Sequence, residues 1–206
     1  MASVKGPLMS LDASGSIADT ITFSKWKGRN YVRQLVIPAN PKSGLQVGVR
    51  SAFKFITQIW STLSAGIQAN WEELAAPDSI TPLDAMVRYD QIRARQFFGM
   101  KQDPTFAEGA VEAAPAGPAA TAQPKSLALA WTDSIGADDW CTEVFMLAGG
   151  VVTPSPANRI AIVPAGVQAL QVLGLTTGIV YHFKLRGNET GGTGGTQTAD
   201  FTGTPT

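Results

Sequence analysis

The chain has 206 residues, of which 44% are hydrophobic and 16% are charged, and its formal net charge is zero. A single cysteine, Cys141, excludes an intramolecular disulfide, and the lone histidine, His182, excludes a metal site built from several histidines. The charge is unevenly distributed, because residues 1–58 hold eight Lys and Arg against two Asp and Glu. Such a basic segment faces either an acidic protein surface or nucleic acid.

No segment approaches the roughly 20 apolar residues that a membrane-spanning helix needs. The first residues, Met1 to Pro7, lack the apolar stretch of a secretory signal. We therefore expect synthesis and folding in a reducing cytoplasm, with any later release by a route other than secretion.

Residues 14–37 predict a strand–turn–strand unit. Ile17, Ile21 and Phe23 alternate with polar residues, and Val32, Leu35 and Ile37 close the run. A turn near Lys27-Gly28 or at Gly28-Arg29-Asn30 would make this a β-hairpin. Pro38 and Pro41 then end the strand, because proline cannot donate to a β-ladder. An isolated hairpin is only marginally stable, so this one must pack on the following helices or on another chain.

Apolar spacing of three and four predicts helices after residue 43. Ser43 is the expected N-cap of the first helix, and the second spans Ser64–Ala76. Thr81, Pro82 and Asp84 match the cap, first and third positions of a third helix. Residues 1–102 thus predict an α+β module of a β-hairpin and about three helices.

Residues 103–121 are rich in Ala, Pro and Gly, without apolar periodicity, and predict an extended linker. Residues 122–206 predict an all-β sandwich, because short alternating runs are separated by Gly, Thr and Pro. The expected strands are 127–131, 140–147, 167–172, 179–185 and 196–202, and the strands within 149–164 are hard to delimit.

This second part resembles fibronectin type III domains over about 85 residues. Trp131 stands where that family has its strand-B core tryptophan, and the run from Leu173 to Arg186 is similar to the family's tyrosine corner. The resemblance implies an immunoglobulin-like sandwich whose core contains Trp131, Leu175, Tyr181 and Phe183.

The first part resembles a module of phage and prophage proteins over roughly residues 6–75. The shared features are a Ser-Gly opening at 14–15, a W-K-G-x-x-Y-x-R hairpin at 26–33, an Asn-Pro turn at 40–41 and a basic amphipathic helix. The resemblance implies a virion or virion-associated setting without enzymatic activity.

The hairpin carries a cluster of aromatic and basic residues, which is the candidate partner-binding site. We expect it to contact an acidic protein surface. The first alternative is a hairpin whose Trp26 packs on the helix while its cations stay solvated, and the second is a contact with DNA. The members of the cluster are Lys25, Trp26, Lys27, Arg29, Tyr31 and Arg33.

We predict no catalytic residue, metal or cofactor. His182 is far in sequence from any nucleophile elbow and should point away from the core. The adjacent carboxylates Glu72-Glu73 and Asp138-Asp139 cannot converge on one bond. The glycines of residues 191–195 predict a turn between the last strands, and Cys141 should be buried and inert.

The sequence therefore predicts a structural component of a bacteriophage virion, such as a head decoration, head–tail or tail accessory protein. Its expected partners are capsid, portal, neck or tail proteins, in several copies per particle, with weak binding of a host-surface glycan also open. One alternative is a carbohydrate- or receptor-binding module, for which Trp140 is the only obvious exposed aromatic. The other is a morphogenesis factor that binds nucleic acid through residues 25–50.

Overall fold

The computed structural model describes residues 3–4, 13–17, 21–27, 29–34, 42–133 and 139–206. The chain divides into two compact units, Met1–Pro41 and Lys42–Thr206. The first unit is a four-stranded antiparallel sheet in the order β1 (Ser3–Val4), β2 (Ala13–Ile17), β3 (Ile21–Trp26) and β4 (Arg29–Gln34).

This sheet differs from the predicted hairpin by extra strands. Ile17 was expected in the same strand as Ile21, but it lies in β2 and pairs with Ile21 across the ladder. Leu35, Ile37 and the two prolines expected to end the last strand lie outside the described residues.

The second unit begins with the helices α1 (Gly44–Ile59), α2 (Ala65–Ala75) and α3 (Pro82–Arg95). Short 3-10 turns follow α1 at Trp60–Thr62 and α2 at Ala76–Asp78. The Thr81 hydroxyl accepts a hydrogen bond from the Asp84 amide at 3.1 Å, which confirms the predicted cap of α3. Ser64 caps α2 in the same way, whereas Ser43 precedes α1 without a side-chain cap bond.

The remaining strands form a sandwich of two antiparallel sheets. One sheet has the order β5 (Ala116–Gln123), β6 (Ser126–Thr132) and β9 (Ala169–Leu173). The other has the order β11 (Gly194–Gln197), β10 (Tyr181–Glu189), β7 (Asp139–Ala148) and β8 (Arg159–Pro164), with β12 (Phe201–Gly203) also paired to β10. The predicted fold class, an α+β module followed by a β-sandwich, is confirmed.

The two sheets enclose one apolar core. Buried residues of both sheets meet there: Leu127, Leu129, Trp131, Val144, Val163, Leu175, Tyr181, Phe183 and Leu185. A second core lies between the helices and the five-stranded sheet, where Phe55, Ile56, Trp71 and Met86 join Trp140 and other residues of the sheet. The five-stranded sheet is therefore the middle layer, and its strand β7 is buried on both faces.

The predicted division at residues 103–121 differs from the observed one. Asp103 is buried, and its carboxylate accepts a hydrogen bond from the Asn70 side chain at 2.6 Å. Residues 116–123 form strand β5 rather than a tether. The strand accommodates Pro118 because β5 is an edge strand in its sheet, and the register shifts between Ala116 and Ala119 around the proline.

The helices and the sandwich thus belong to one unit, and the boundary lies at residues 41–42 instead. The physical reason is that α1, α2 and α3 bury their apolar faces on the sheet. β8, in the stretch that the sequence left undelimited, supplies part of the surface that α1 covers.

Candidate interaction site

The predicted partner-binding cluster lies on the β3–β4 hairpin, whose register defines its two faces. Trp26 pairs with Arg29, Ser24 with Tyr31 and Thr22 with Arg33. Directly paired residues, and residues two apart along a strand, share one face of a sheet. Positions 26, 29, 31 and 33 therefore lie on the same face.

Lys25 is separated from this group by the turn. It pairs with Asn30, in the set that also contains the Phe23–Val32 pair on the opposite face. Simple alternation along 25–33 would have grouped Lys25 with Arg29, Tyr31 and Arg33, and the expected turn breaks that parity. By register, positions 29, 31 and 33 thus share one face of the hairpin with position 26, position 25 belongs to the other face, and Lys27 lies in the turn.

Lys27 lies in the turn between β3 and β4. Lys27 has a φ of 48°, in the left-handed region. Two-residue loops with positive φ match the right-handed twist of the flanking strands. The loop therefore fixes the register that brings positions 26 and 29 opposite each other.

The last four residues of strand β4, 31–34, are exposed to solvent. Tyr31 is 39% exposed and Val32 is 60% exposed, although the two residues point to opposite faces. Arg33 and Gln34 are exposed as well. Nothing among the described residues covers either face of the strand here, and we call residues 31–34 the open strand.

The second unit contains a buried ion network that sequence reasoning missed. Glu143 on β7 accepts hydrogen bonds from Arg159 on β8 at 2.8 Å and from Arg186 on β10 at 2.9 Å and 2.5 Å. All three side chains are at most 5% exposed. Buried carboxylates and guanidinium groups need such partners, because an unpaired charge would be strongly destabilising there.

This network also binds the end of α3 to the sheet. Arg159 donates to the Ala94 carbonyl at 3.1 Å, and Arg186 donates to the Phe97 carbonyl at 3.1 Å. The Arg186 guanidinium lies 3.9 Å from the centre of the Phe97 ring. One signal was available in the sequence: Glu143 directly precedes the apolar run Val144–Ala148 of β7, and a charge inside such a strand is typical of a paired buried group.

Asp90 on α3 lies in the same interface and is fully buried. One of its carboxylate oxygens accepts a hydrogen bond from the Lys101 amide at 2.9 Å, and the other has no partner. Burial raises the pKa of Asp90 to about 8, against the weaker opposing effects of that hydrogen bond and of Arg93 and Lys101. The side chain is therefore mainly protonated at neutral pH.

Cys141 is buried beside this cluster, as the sequence predicted. The Asn188 amide lies 3.6 Å from its sulfur, and burial raises the pKa of the thiol. A thiol held in its neutral form is a poor nucleophile.

Trp140 was the one obvious candidate for an exposed aromatic in a glycan-binding sandwich. It is only 3% exposed and packs edge-on against Phe55. The expectation that Trp140 is exposed is wrong, because the helices cover this face of the sheet.

The sandwich markers occupy the places that the fibronectin resemblance implied. Trp131, Leu175, Tyr181 and Phe183 all lie in the core between the two sheets. The Tyr181 hydroxyl accepts a hydrogen bond from the Thr176 amide at 3.0 Å, which closes the corner before β10.

The other polar residues considered from the sequence do not converge on one point. His182 is half-buried, and its Nδ1 lies 2.6 Å from the Asp200 carboxylate. Glu72 and Glu73 are exposed on α2, and Asp138 lies outside the described residues. The described part of the chain contains no group of three potential metal ligands and no helix long and apolar enough to cross a membrane.

Comparison with known proteins gives likeness in fold only. No family model and no curated protein matches the chain. A β-1,2-glucanase from Parabacteroides distasonis is similar at 11% identity over 50% of this chain and 14% of its own length, with a TM-score of 0.42. The FN1–FN3 domains of chicken CNTN1 are similar at 11% identity over 47% of this chain and 32% of theirs, with a TM-score of 0.40.

A fibronectin type III domain of the human KIAA0970 protein is similar at 14% identity, over 46% of this chain and 74% of its own length, with a TM-score of 0.39. The chain thus spans a third or less of the first two structures and about three quarters of the third. The likeness covers about half of this chain in each case and concerns the fold alone.

Proposed function

We propose that the chain is a non-enzymatic structural component of a bacteriophage virion, attached to the particle through its N-terminal sheet. Head decoration, head–tail attachment and tail accessory roles all fit this proposal. The observation that carries it is the open strand, where consecutive residues on both faces of β4 are exposed. A sheet of this size that leaves both faces of a strand uncovered gains stability when a partner covers it.

The chemistry of the hairpin supports an acidic protein as that partner. Tyr31 and Arg33 share a face with positions 26 and 29, so two aromatic and two basic residue types stand together there. Tyr, Trp and Arg are the residue types that contribute most binding free energy at protein interfaces. The phage-like W-K-G-x-x-Y-x-R pattern of residues 26–33 adds the virion setting to this chemistry.

The second unit is suited to be the displayed part. Its helices and sandwich have their own cores, and the buried Glu143 network connects the layers. A rigid body of this kind needs only one attachment site, and several copies per particle would strengthen weak contacts through avidity.

The test is mass spectrometry of purified particles from lysates of the source organism, with peptides of this chain counted against the major capsid protein. Copy numbers near that of the capsid protein would assign the chain to head decoration, and much lower numbers would assign it to the neck or tail. Absence of the chain from intact particles would overturn the proposal.

A further inference from the structure

A groove that plays no part in the proposed attachment borders the edge strand β8. Four consecutive residues of β8, from Ile160 to Val163, line it together with Leu170 of β9. Consecutive strand residues point to opposite faces, so a groove that touches all four runs along the edge of β8. Both β8 and β9 are the last strands of their sheets among the described residues. The groove therefore opens where both sheets end.

Helix α1 supplies the other wall and a basic rim. Val47 contributes apolar surface, while Lys42, Arg50 and Lys54 line the groove and are exposed. The groove has a volume of 330 Å³, and its lining contains no acidic residue within the described chain. Three cations beside an apolar strand edge favour an extended segment that carries both carboxylates and apolar side chains.

Such a segment lies at the opposite edge of the same sheet. Residues 106–112, which we call the acidic segment, contain Glu108 and Glu112 and no basic residue. They run beside β11, since the Thr196 amide donates to the Glu112 carbonyl at 2.9 Å and the Thr193 hydroxyl donates to the Gly109 carbonyl at 3.2 Å. The segment has no helix or strand assignment of its own, although it is held at these points.

The acidic segment presents both features that the groove requires. Phe106 is 39% exposed and Val111 is 63% exposed, so the segment presents two apolar side chains to a partner. Glu108 is exposed, and its hydrogen bond with Arg93 lowers the pKa of its carboxyl, so that it is charged at neutral pH. The Glu108 side chain is 56% exposed, whereas that of Arg93 is 14% exposed, so the open side of the carboxylate can also serve a second partner.

We propose that copies of this chain associate head to tail, with the acidic segment of one copy seated in the groove between α1 and β8 of the next. The two surfaces lie at opposite edges of the five-stranded sheet, beside β11 and β8. When two different surfaces of identical chains make the contact, a dimer still has one free groove and one free acidic segment. The association therefore continues into a ring or a filament, and it does not depend on the proposed virion role.

The test uses sedimentation velocity on the purified full chain over a range of protein and salt concentrations. The wild type forms oligomers larger than dimers that dissociate as salt screens the charges. One variant, Lys42→Gln with Lys54→Gln, removes two cations of the groove, and another, Glu108→Gln with Val111→Ser, removes a carboxylate and an apolar side chain of the segment. Neutral substitutions are used because a charge-reversed groove would attract a charge-reversed segment. Each variant alone raises the dissociation constant about tenfold or more.

Mixing the two variants distinguishes this contact from any other. The mixture regains one unaltered groove and one unaltered segment, so it forms a 1:1 dimer that does not grow further. Arg33→Glu in the N-terminal sheet is the control and leaves the association unchanged. The proposal would be overturned if the wild type were monomeric up to its solubility limit, or if the variants associated like the wild type. It would also be overturned if the mixture stayed monomeric while circular dichroism showed that both variants are folded.

Discussion

Glu143 and Arg186 are direct cross-strand neighbours on β7 and β10, and their side chains form a hydrogen-bonded ion pair beneath the end of α3. Arg159 reaches the same carboxylate from β8. A single acidic residue thus compensates two buried guanidinium groups, and those groups in turn bind backbone carbonyls at Ala94 and Phe97. Glu143 thus helps to hold the end of α3 on the sandwich, in addition to the apolar packing of the helices.

We predict that Glu143→Gln lowers the free energy of unfolding by about 3–5 kcal/mol, because it leaves two buried guanidinium groups without a counter-charge. Urea denaturation followed by fluorescence measures the change. The matched control is Asp78→Asn, which removes an ion pair with Arg88 whose side chains are more than half exposed; it should cost no more than about 1 kcal/mol. Equal losses for the two variants would contradict the role given to Glu143.

Asp90 predicts a specific pH dependence of stability. Its pKa is about 8 in the folded chain and near 3.8 when exposed, so between these values the folded state holds a proton that the unfolded state has lost. Its contribution to stability therefore falls as pH rises from about 4 to about 8, by up to about 1.4 kcal/mol per pH unit. Asp90→Asn removes this contribution, because an amide does not titrate.

The measurement is urea denaturation of the wild type and Asp90→Asn at several pH values. The difference in unfolding free energy between the two should grow in favour of the variant up to pH 8 and then level off. Parallel pH profiles would show that Asp90 titrates normally and that its burial does not perturb it.

Two helix glycines give opposite predictions for the same substitution. A Cβ at Gly48 on α1 would lie 2.3 Å from the Pro156 carbonyl oxygen, whereas a Cβ at Gly66 on α2 would meet nothing within 4 Å. Gly48→Ala should therefore be destabilising, because α1 can no longer approach the loop before β8. Gly66→Ala should stabilise by about 0.5–1 kcal/mol, since alanine loses less backbone entropy on folding. Thermal denaturation of both variants checks the signs, and a stable Gly48→Ala protein would contradict the close packing of α1.

The Tyr181 hydroxyl can be removed without disturbing the core, so the stability contribution of its one hydrogen bond can be measured. Tyr181→Phe removes the acceptor of the Thr176 amide while keeping the ring in the core. The expected cost is about 1–2 kcal/mol, the range for a buried or half-buried amide that loses its partner. Tyr89→Phe is the control, because the Tyr89 hydroxyl makes no hydrogen bond within the described part of the chain. Equal midpoints of urea denaturation for both variants would contradict the corner's contribution.

Local sequence signals predicted local structure. The Thr81 cap, the turn at Lys27 and the corner at Tyr181 each depend on residues a few positions apart, and the structure has all three. β5 was missed because Ala, Gly and Pro carry no alternation, and its pairing is supplied by β6.

The packing of the helices on the sandwich could not be predicted in this way. It depends on contacts between residues far apart in the chain, such as Arg159 with Ala94 and Arg186 with Phe97. The positions of the hairpin cluster that share one face also could not be predicted without the register of β3 and β4, because the turn between the strands interrupts the alternation. A linker interpretation followed naturally from composition, since no local pattern marks Asp103 as buried.

The most direct test of the account is incorporation of altered chains into particles. Phage particles are produced with the wild-type chain, with the double variant Tyr31→Ala and Arg33→Glu, or with a control. The control is the charge-matched Lys125→Glu in the turn between β5 and β6. The amount of the chain in each particle is then measured by mass spectrometry against the capsid protein. The account predicts wild-type copy numbers for Lys125→Glu and a loss of about tenfold or more for the double variant, because it removes an aromatic anchor and reverses a charge on the open strand. Equal incorporation of all three, with each variant folded, would contradict attachment through the N-terminal sheet.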